Sequence, residues 1–558
     1  MNWTNESAAQ AFSEIADLLE IKGENPFKIK AYLKASRVLR ELEDDLEVVR
    51  AEGRLRSIPG VGKAIADKLE AFLQTGSIPQ LEELREEIPA GLVDIAGLPG
   101  LGAKKTAQLH KELSVQDLAG LHSALLEGKV EQLKGFSKKS QAKILAAVEK
   151  ALNTEPRFIK SRLEKWGKQV LESLAGLPGT AGAKLVGSVR RKCPSGERVE
   201  ILLHCHDLGI AEKELQQRLG QGGGEFQQVG GCFLLQHPGG AVVSISLGEH
   251  RSAGWNCLRL TGPESFVESV RRKSGGRNPE QLEAESEEAL FTALELTPVL
   301  PELRHREDCW AVSEDQLLTE QQLRGNLHAH TTYSDGQNTI VEMVQKAISS
   351  GHEYFGVSDH SRSLVVAGGL TEEKLGEQLS EILALREQHP DFRIWASSEV
   401  DILEDGSLDY PDQVLEKLDY VVAAVHSFFH LTPEAMTRRL LKGLSHPKVR
   451  ILAHPTGRLL TRRDGYQADW DSVFQKCAEL RVAVEINSSP WRLDLSEELL
   501  DRAVAAGCLV AINTDAHSLD EFDSVRHGVD MARRSAVPPK RIVNTWGEQQ
   551  LREWFQAR

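Results

Sequence analysis

Two histidines two residues apart, His328 and His330, are followed by Asp335 in the stretch GNLHAHTTYSDG, residues 325–336. On an extended strand, positions i and i+2 share a face. Both imidazoles then project into one space, and Asp335, in a turn-forming Ser-Asp-Gly, can fold back over them. Further donors stand where later apolar runs end. GVSDH closes on His360, WASSE on Glu399, VAAVH on His426, ILAH on His454, and AINTDAH on Asp515 and His517. A single histidine at a strand end is usually a satisfied structural residue. Six segments repeating the choice point to one convergent cluster. Nine donors exceed the needs of one ion and suit two or three, with Glu399 or Asp515 as a bridge. Imidazole and carboxylate without thiolate fit Zn²⁺, Mn²⁺ or Fe²⁺, and Mn²⁺ and/or Zn²⁺ is the expectation. Mg²⁺ alone fits poorly, because it prefers oxygen and water. Clustered ions make hydroxide available at neutral pH and steady phosphate oxygens and a leaving alkoxide. The expected chemistry is therefore phosphoester hydrolysis, with Glu399 and Asp515 central to it. Arg458 in HPTGR and Arg492 in SSPWRLDL follow two strand ends. Each is a candidate catalytic neutraliser of phosphate charge, or else a structural ion-pair partner.

The elements that must position these donors read as alternating strands and helices from residue 324 onward. Short apolar runs such as EYFGVSDH, YVVAAVHS, RILAHP and VAVEINSS are separated by helical patterns. In TIVEMVQKAISSG, Ile340, Met343, Val344, Ala347 and Ile348 share a face, Thr339 and Glu342 form a capping box, and Gly351 stops the helix. This alternation predicts a parallel β/α barrel, in which chemistry gathers at the C-terminal ends of the strands.

The chain of 558 residues predicts several domains. Seven cysteines without Cys-x-x-Cys argue against a disulfide framework. No signal peptide or membrane span is visible, so a cytoplasmic protein without a membrane partner is expected. The net charge of −15 does not suggest nucleic acid, but local potential at a groove decides that question. GSVRRK (187–192) and VRRKSGGR (270–277) are basic stretches that read first as solvated surface.

Residues 1 to about 155 read as helical. SIPGVGKAIADKL (57–69) and IAGLPGLGAKKTAQL (95–109) both carry Pro-Gly-x-Gly before a helix, and LKGFSKKSQAKIL (133–145) is a weaker third copy. Gly60, Gly62, Gly100 and Gly102 would allow tight turns and close approach, and the free amides of the next helix favour phosphate. With Lys63 and Lys104 beside them, these turns resemble helix-hairpin-helix motifs that grip a DNA backbone. Residues 156–315 change character, with strand-like AKLVGSV, VEILLHC, CFLLQ and AVVSISL between helical stretches.

Residues 324–558 resemble a polymerase-and-histidinol-phosphatase (PHP) domain, a metal-dependent phosphoesterase with a seven-stranded distorted barrel. NLHAHTTYSDG, VSDHS, SEVDIL, VHS, LAHPTGR, EINSSPWRLDL and NTDAHS match its segments, and suitable residues occupy all nine of its metal positions. The whole chain resembles a bacterial family X DNA polymerase fused to this domain. GENPFKIKAY, the glycine hairpins, GSVRR, LTG and LRGNLHAHTTYSDG fall in that family's order. The resemblance implies a helical domain over 1–85, a fingers-like helical domain over 86–155, a nucleotidyltransferase-like α+β palm over 156–250, a thumb-like region over 251–315 and the distorted (β/α)7 PHP barrel over 316–558.

The palm departs from its family. Such palms carry Gly-Ser on a turn, Asp-x-Asp on the next strand and a third aspartate on a neighbour, together holding two Mg²⁺ ions. Gly187 and Ser188 are present, but Arg198 and Glu200 take the paired positions and Ser244 the third. One acid beside a guanidinium is a poor Mg²⁺ site. A one-residue slip would replace Glu200 by Glu197, still a single acid. His204 and His206 share a face and read as a polar strand end. The expected Tyr-Phe before Thr-Gly is Arg259-Leu260. The resemblance thus implies a 3′→5′ exonuclease, with abasic-site cleavage or 3′-end cleaning as related activities, acting in DNA repair on gapped, nicked or 3′-ended DNA. The protein is expected to be a monomer that has lost polymerase catalysis. Rival readings are a still-active gap-filling polymerase, a histidinol-phosphatase-like enzyme and a non-catalytic DNA scaffold.

Overall fold

The computed structural model describes residues 4–42, 44–58, 61–89, 91–98, 100–153, 156–221 and 226–557. Internal contacts divide the chain into two compact units, residues 1–157 with 212–244, and residues 158–211 with 245–558.

In the first unit, helices pack around Phe12, Ile15, Leu39, Leu69, Leu109 and Val148, all buried. Local chemistry sets their starts. The Asn25 side chain accepts from the Phe27 amide ahead of the helix Pro26–Glu41, with proline at its first position. Helices Lys63–Thr75 and Ala103–Leu113 begin differently, at Gly62 and Gly102, with no side-chain cap. Their first amides remain open to a ligand.

The second unit opens with β1 (Phe158–Ile159), helix Lys160–Leu174 and β2 (Thr180–Leu185). After β3 (Ser195–Gly196), β4 (Arg198–Cys205) pairs antiparallel with β2. Period-2 alternation buries Val199, Ile201 and Leu203 of β4 on one face and leaves Arg198 and Glu200 on the other. The antiparallel hairpin of β5 (Phe226–Val229) and β6 (Cys232–Gln236) lies in the first unit, and β7 (Val242–Glu249) runs across the division of the chain.

The C-terminal part is a parallel barrel. β8 (Gly325–Asn326), β9 (Tyr354–Val357) and β10 (Arg393–Ala396) form one parallel sheet in the order β10-β9-β8. β11 (Glu399–Asp401), β12 (Val421–Ala424), β13 (Val449–Leu452), β14 (Ala483–Asn487) and β15 (Leu509–Asn513) form a second, in sequence order. Only Ser397 and Ser398, both buried, separate β10 from β11, so one bent strand serves both sheets, with Glu399 just past the bend. The ring closes at the opposite seam through the bridge Ala329–Ala516, where the His330 amide donates to the Ala516 carbonyl and the Asp515 amide to the His328 carbonyl. Strands buried on both faces read as continuous apolar runs. The helix Ile340–Ser349 has the expected Thr339–Glu342 capping box and buries Ile340, Met343, Val344 and Ala347. Ile348 departs from the expected face and is 39% exposed. No helix among the described residues is long and apolar enough to cross a membrane.

Candidate metal centre

Glu399 lies among five imidazoles. Its Oε1 accepts from His454 Nε2 at 2.7 Å and lies 3.4 Å from His426 Nε2 and 3.6 Å from His328 Nε2. Its Oε2 lies 2.8 Å from His360 Nδ1 and 3.6 Å from His330 Nε2. Asp515 is the second hub, with Oδ1 3.0 Å from His330 Nε2 and 3.4 Å from His328 Nε2. Asp335 Oδ1 closes the outer side, 3.4 Å from His517 Nε2 and 3.5 Å from His360 Nε2. Three groups have donor atoms near enough to share an ion: His330, Asp335, His360 and His517; His328, His330 and Asp515; His360, Glu399 and His426. His454 joins through Glu399. The nine residues singled out in the sequence therefore lie together.

The donor atoms fit cations. Five buried atoms here, His328 Nε2, His330 Nδ1, His360 Nδ1, His454 Nδ1 and Glu399 Oε2, have no hydrogen-bond partner. An unpaired buried polar group costs roughly 1–3 kcal/mol, and a divalent ion shared among imidazoles and carboxylates would relieve several at once. The carboxylate charge states agree with this, and His426 and His517 would each give up a proton to an ion. Despite burial, the surrounding imidazoles hold the Glu399 and Asp515 carboxyls well below the usual range. Burial and the neighbouring His517 and His360 push His330 down to about 3. Against burial, Glu399 and Asp401 raise His426 to about 10, and Asp335 and Asp515 raise His517 to about 9.

A second set of side chains fixes these donors, and sequence reasoning missed it. Buried Glu485 accepts from His328 Nδ1 at 2.8 Å and from the His454 amide at 2.7 Å. Asp401 accepts from His426 Nδ1 at 2.7 Å, turning Nε2 toward Glu399. Asn487 donates to Asp515 Oδ2 at 2.9 Å, and Asn513 to Glu485 Oε1 at 2.9 Å. Such partners set ring orientation and donor basicity. One signal was present: VAVEIN places Glu485 and Asn487 two apart in an otherwise apolar strand. Buried Asp359 accepts from the Thr331 amide at 2.8 Å, from Thr331 Oγ1 at 2.7 Å and from Gln378 Nε2 at 2.6 Å, anchoring the loop that carries Asp335.

The two arginines separate. Arg492 Nε lies 3.7 Å from Asp515 Oδ2, at the site. Arg458 is engaged elsewhere: its guanidinium donates to the carbonyls of Arg492, Leu493 and Leu495, so it braces a loop.

In the palm, Gly187 adopts φ +64°, and a Cβ there would fall 1.6 Å from Glu200 Oε2, so the turn requires glycine. Burial raises the Glu200 carboxyl, only partly offset by Arg191 and the Ser188 amide. Among the described residues no group able to share an ion includes Glu200. Ser244 Oγ lies 3.1 Å from Cys232 Sγ. The basic stretches are paired internally. Arg190 holds Glu287, Lys192 lies 2.8 Å from Asp530, and Arg271 lies 2.9 Å from Glu280. In the helical unit, Gly100 (φ +87°) and Gly102 (φ +81°) use the left-handed freedom expected of them, and Lys63 and Lys104 are exposed. Gly62 does not, with an ordinary φ of −76°, and Gly60 lies outside the described residues.

A helix-hairpin-helix domain model matches residues 3–78 and a PHP domain model residues 326–489. The DNA polymerase/3′-5′ exonuclease PolX of Bacillus subtilis is 33% identical over 559 residues, covering 95% of each chain. This chain belongs to the PolX family. It is a multidomain, metal-dependent enzyme that binds DNA, with a helical hairpin region, a mixed α/β middle and a PHP domain. A probable phosphatase of Clostridium acetobutylicum is 27% identical over 250 residues, 42% of this chain and 94% of that one. One of Syntrophotalea carbinolica is 26% identical over 231 residues, 39% and 90% respectively.

Proposed function

We propose that this PolX protein is a 3′→5′ exonuclease of DNA repair, working with Mn²⁺ and/or Zn²⁺ in the barrel, with its palm retired from nucleotidyl transfer. The observation that carries the reading is the convergence of nine donors, among which one buried nitrogen each of His328, His330, His360 and His454 makes no hydrogen bond. The ions, when bound, supply Lewis acidity and an activated water. The residues supply the rest. Glu399 and Asp515 tie the donor groups together, Glu485 and Asp401 fix the imidazoles of His328 and His426, and Arg492 stands where a phosphate's charge needs an answer. The hairpin glycines present open amides for the DNA backbone. Gapped, nicked or 3′-ended DNA, abasic-site cleavage, 3′-end cleaning and a monomeric state belong to the same reading.

The deciding experiment digests 3′-labelled and 5′-labelled DNA with added Mn²⁺ or Zn²⁺, with His328→Ala beside the wild type. Immediate release of the 3′ label and a descending ladder from the 5′ label, both lost in the variant, are expected. A fully loaded wild type that cuts no DNA would sink the proposal. A second reading, a small-molecule phosphatase, is favoured by the probable phosphatases that match the barrel over most of their length. It predicts faster turnover of a small phosphomonoester than of an oligonucleotide.

A further inference from the structure

β12, β13 and β14 are neighbours, so the loops that follow them lie side by side at the end of the barrel that carries His426 and His454. The Leu460 amide donates to the Trp491 carbonyl at 2.7 Å and joins the loops after β13 and β14, while Arg463 donates to the Gly457 carbonyl at 2.7 Å within the loop after β13. Their outer surface alternates aromatic rings and guanidinium groups. Arg462 lies 4.4 Å over Trp491, and Arg463 lies 4.4 Å over Phe429. Phe428 is 55% exposed and holds φ +54°, a region that side chains other than glycine rarely adopt.

Neither burial nor backbone preference explains Phe428. Its ring gains little from the fold, and its backbone is strained. The cations are equally unexplained. Among the described residues no carboxylate forms an ion pair with Arg462 or Arg463, although carboxylates outnumber cations in the chain by 82 to 67. Arg463 is held below its ordinary pKa by burial and by the like charge of Arg492. Arg492 has Asp515 beside it, but Arg462 and Arg463 are successive like charges with no carboxylate in ion-pair range among the described residues, which suits an anionic ligand. Aromatic rings interleaved with cations are how proteins hold a single nucleic-acid strand. Phe428 follows His426 by two residues, at most about 7 Å of chain. A strand whose scissile phosphate meets the donor cluster must lay its adjoining nucleotides on the surface next to it.

We propose that this rim is the strand-gripping surface of the nuclease: Phe428 stacks on a nucleobase, and Arg462 and Arg463 take flanking phosphates. The proposal rests on the exonuclease reading, so its test needs one arm that does not depend on cleavage. Wild type, Phe428→Gly and Arg462→Ala are compared on an oligonucleotide and on p-nitrophenyl phosphate. In Phe428→Gly the ratio of KM for the oligonucleotide to KM for the small ester should rise roughly tenfold, the scale of one lost base stack. The melting temperature should rise as well, because glycine relieves the strained φ. A residue with a merely structural role would not combine a firmer fold with a weaker grip. In EDTA, a strand ending in 3′-terminal 2-aminopurine should change its emission on saturation with wild type and not with Phe428→Gly. Unchanged KM ratios together with identical emission overturn the rim. If wild type cuts no DNA but the emission difference stands, the rim survives and the exonuclease reading fails.

Discussion

Glu200 in the palm and Glu399 in the barrel are both strand carboxylates, yet their surroundings are opposite. Glu200 lies against a glycine turn, its carboxyl raised by burial that Arg191 only partly offsets, and Arg190 and Lys192 of the segment after that turn are tied to Glu287 and Asp530. Glu399 faces five imidazoles and is held ionised, while one buried nitrogen each of His328, His330, His360 and His454 makes no hydrogen bond. Donors left unsatisfied are ready for a ligand, whereas charges paired off with their neighbours act as structure. The contrast is a physical signature, independent of any name.

The sharpest way to break the comparison is Glu399→Gln. It should lower nuclease turnover by roughly a thousandfold, the scale expected when one member of a group acting as a unit is removed. Retained activity would show that the hub is dispensable. Next in size is acid stability. Paired with Arg190 and Arg304, Glu287 is held at about 2 against an ordinary 4.5, even though burial opposes this. A depressed carboxyl contributes stability that is fully present above pH 4.5 and is lost as pH falls toward 2, about 3 kcal/mol in all. Urea unfolding across that window should show the loss in wild type. Glu287→Gln should lack this acid-dependent component and be weaker already at neutral pH. Asp401→Asn should cost 10- to 100-fold in metal affinity, the usual scale for a partner that orients a liganding imidazole; calorimetric titration measures it directly. The smallest effect is expected in the palm. Glu200→Ala should leave nuclease turnover unchanged, and neither it nor wild type should extend a primer on gapped DNA with Mg²⁺ or Mn²⁺. Template-directed extension that disappears in Glu200→Ala would place chemistry back in the palm.

Much of the barrel was legible because its signals are local. The helix after Thr339 has the cap, the stop and, Ile348 apart, the face that its sequence spells, and six of the nine donors close an apolar run. The supporting shell was far less so. Glu485, Asp401 and Asn487 touch donors distant in sequence, and spacing along one strand does not report a partner on another. Arg458, for which a phosphate role and a structural role both stood open, shows the converse limit. Its position after a strand end suits a phosphate ligand, but the fold brings three carbonyls to it first. Gly62 carries the residue type of a strained turn with none of the strain. The bend between β10 and β11 was also hidden, since Ser397 and Ser398 are neither glycine nor proline and look like ordinary strand residues.

The alanine pair at the barrel seam ties shape to chemistry. Ala329 sits between His328 and His330, and Ala516 between Asp515 and His517, so one short stretch of backbone pairing both shuts the ring and sets four donors. Ions gripped there would act as rivets, and a loaded barrel should resist springing open along that line. The same arrangement forbids independent tuning: any substitution that slackens the seam to admit a bulkier substrate also loosens the grip on the ions.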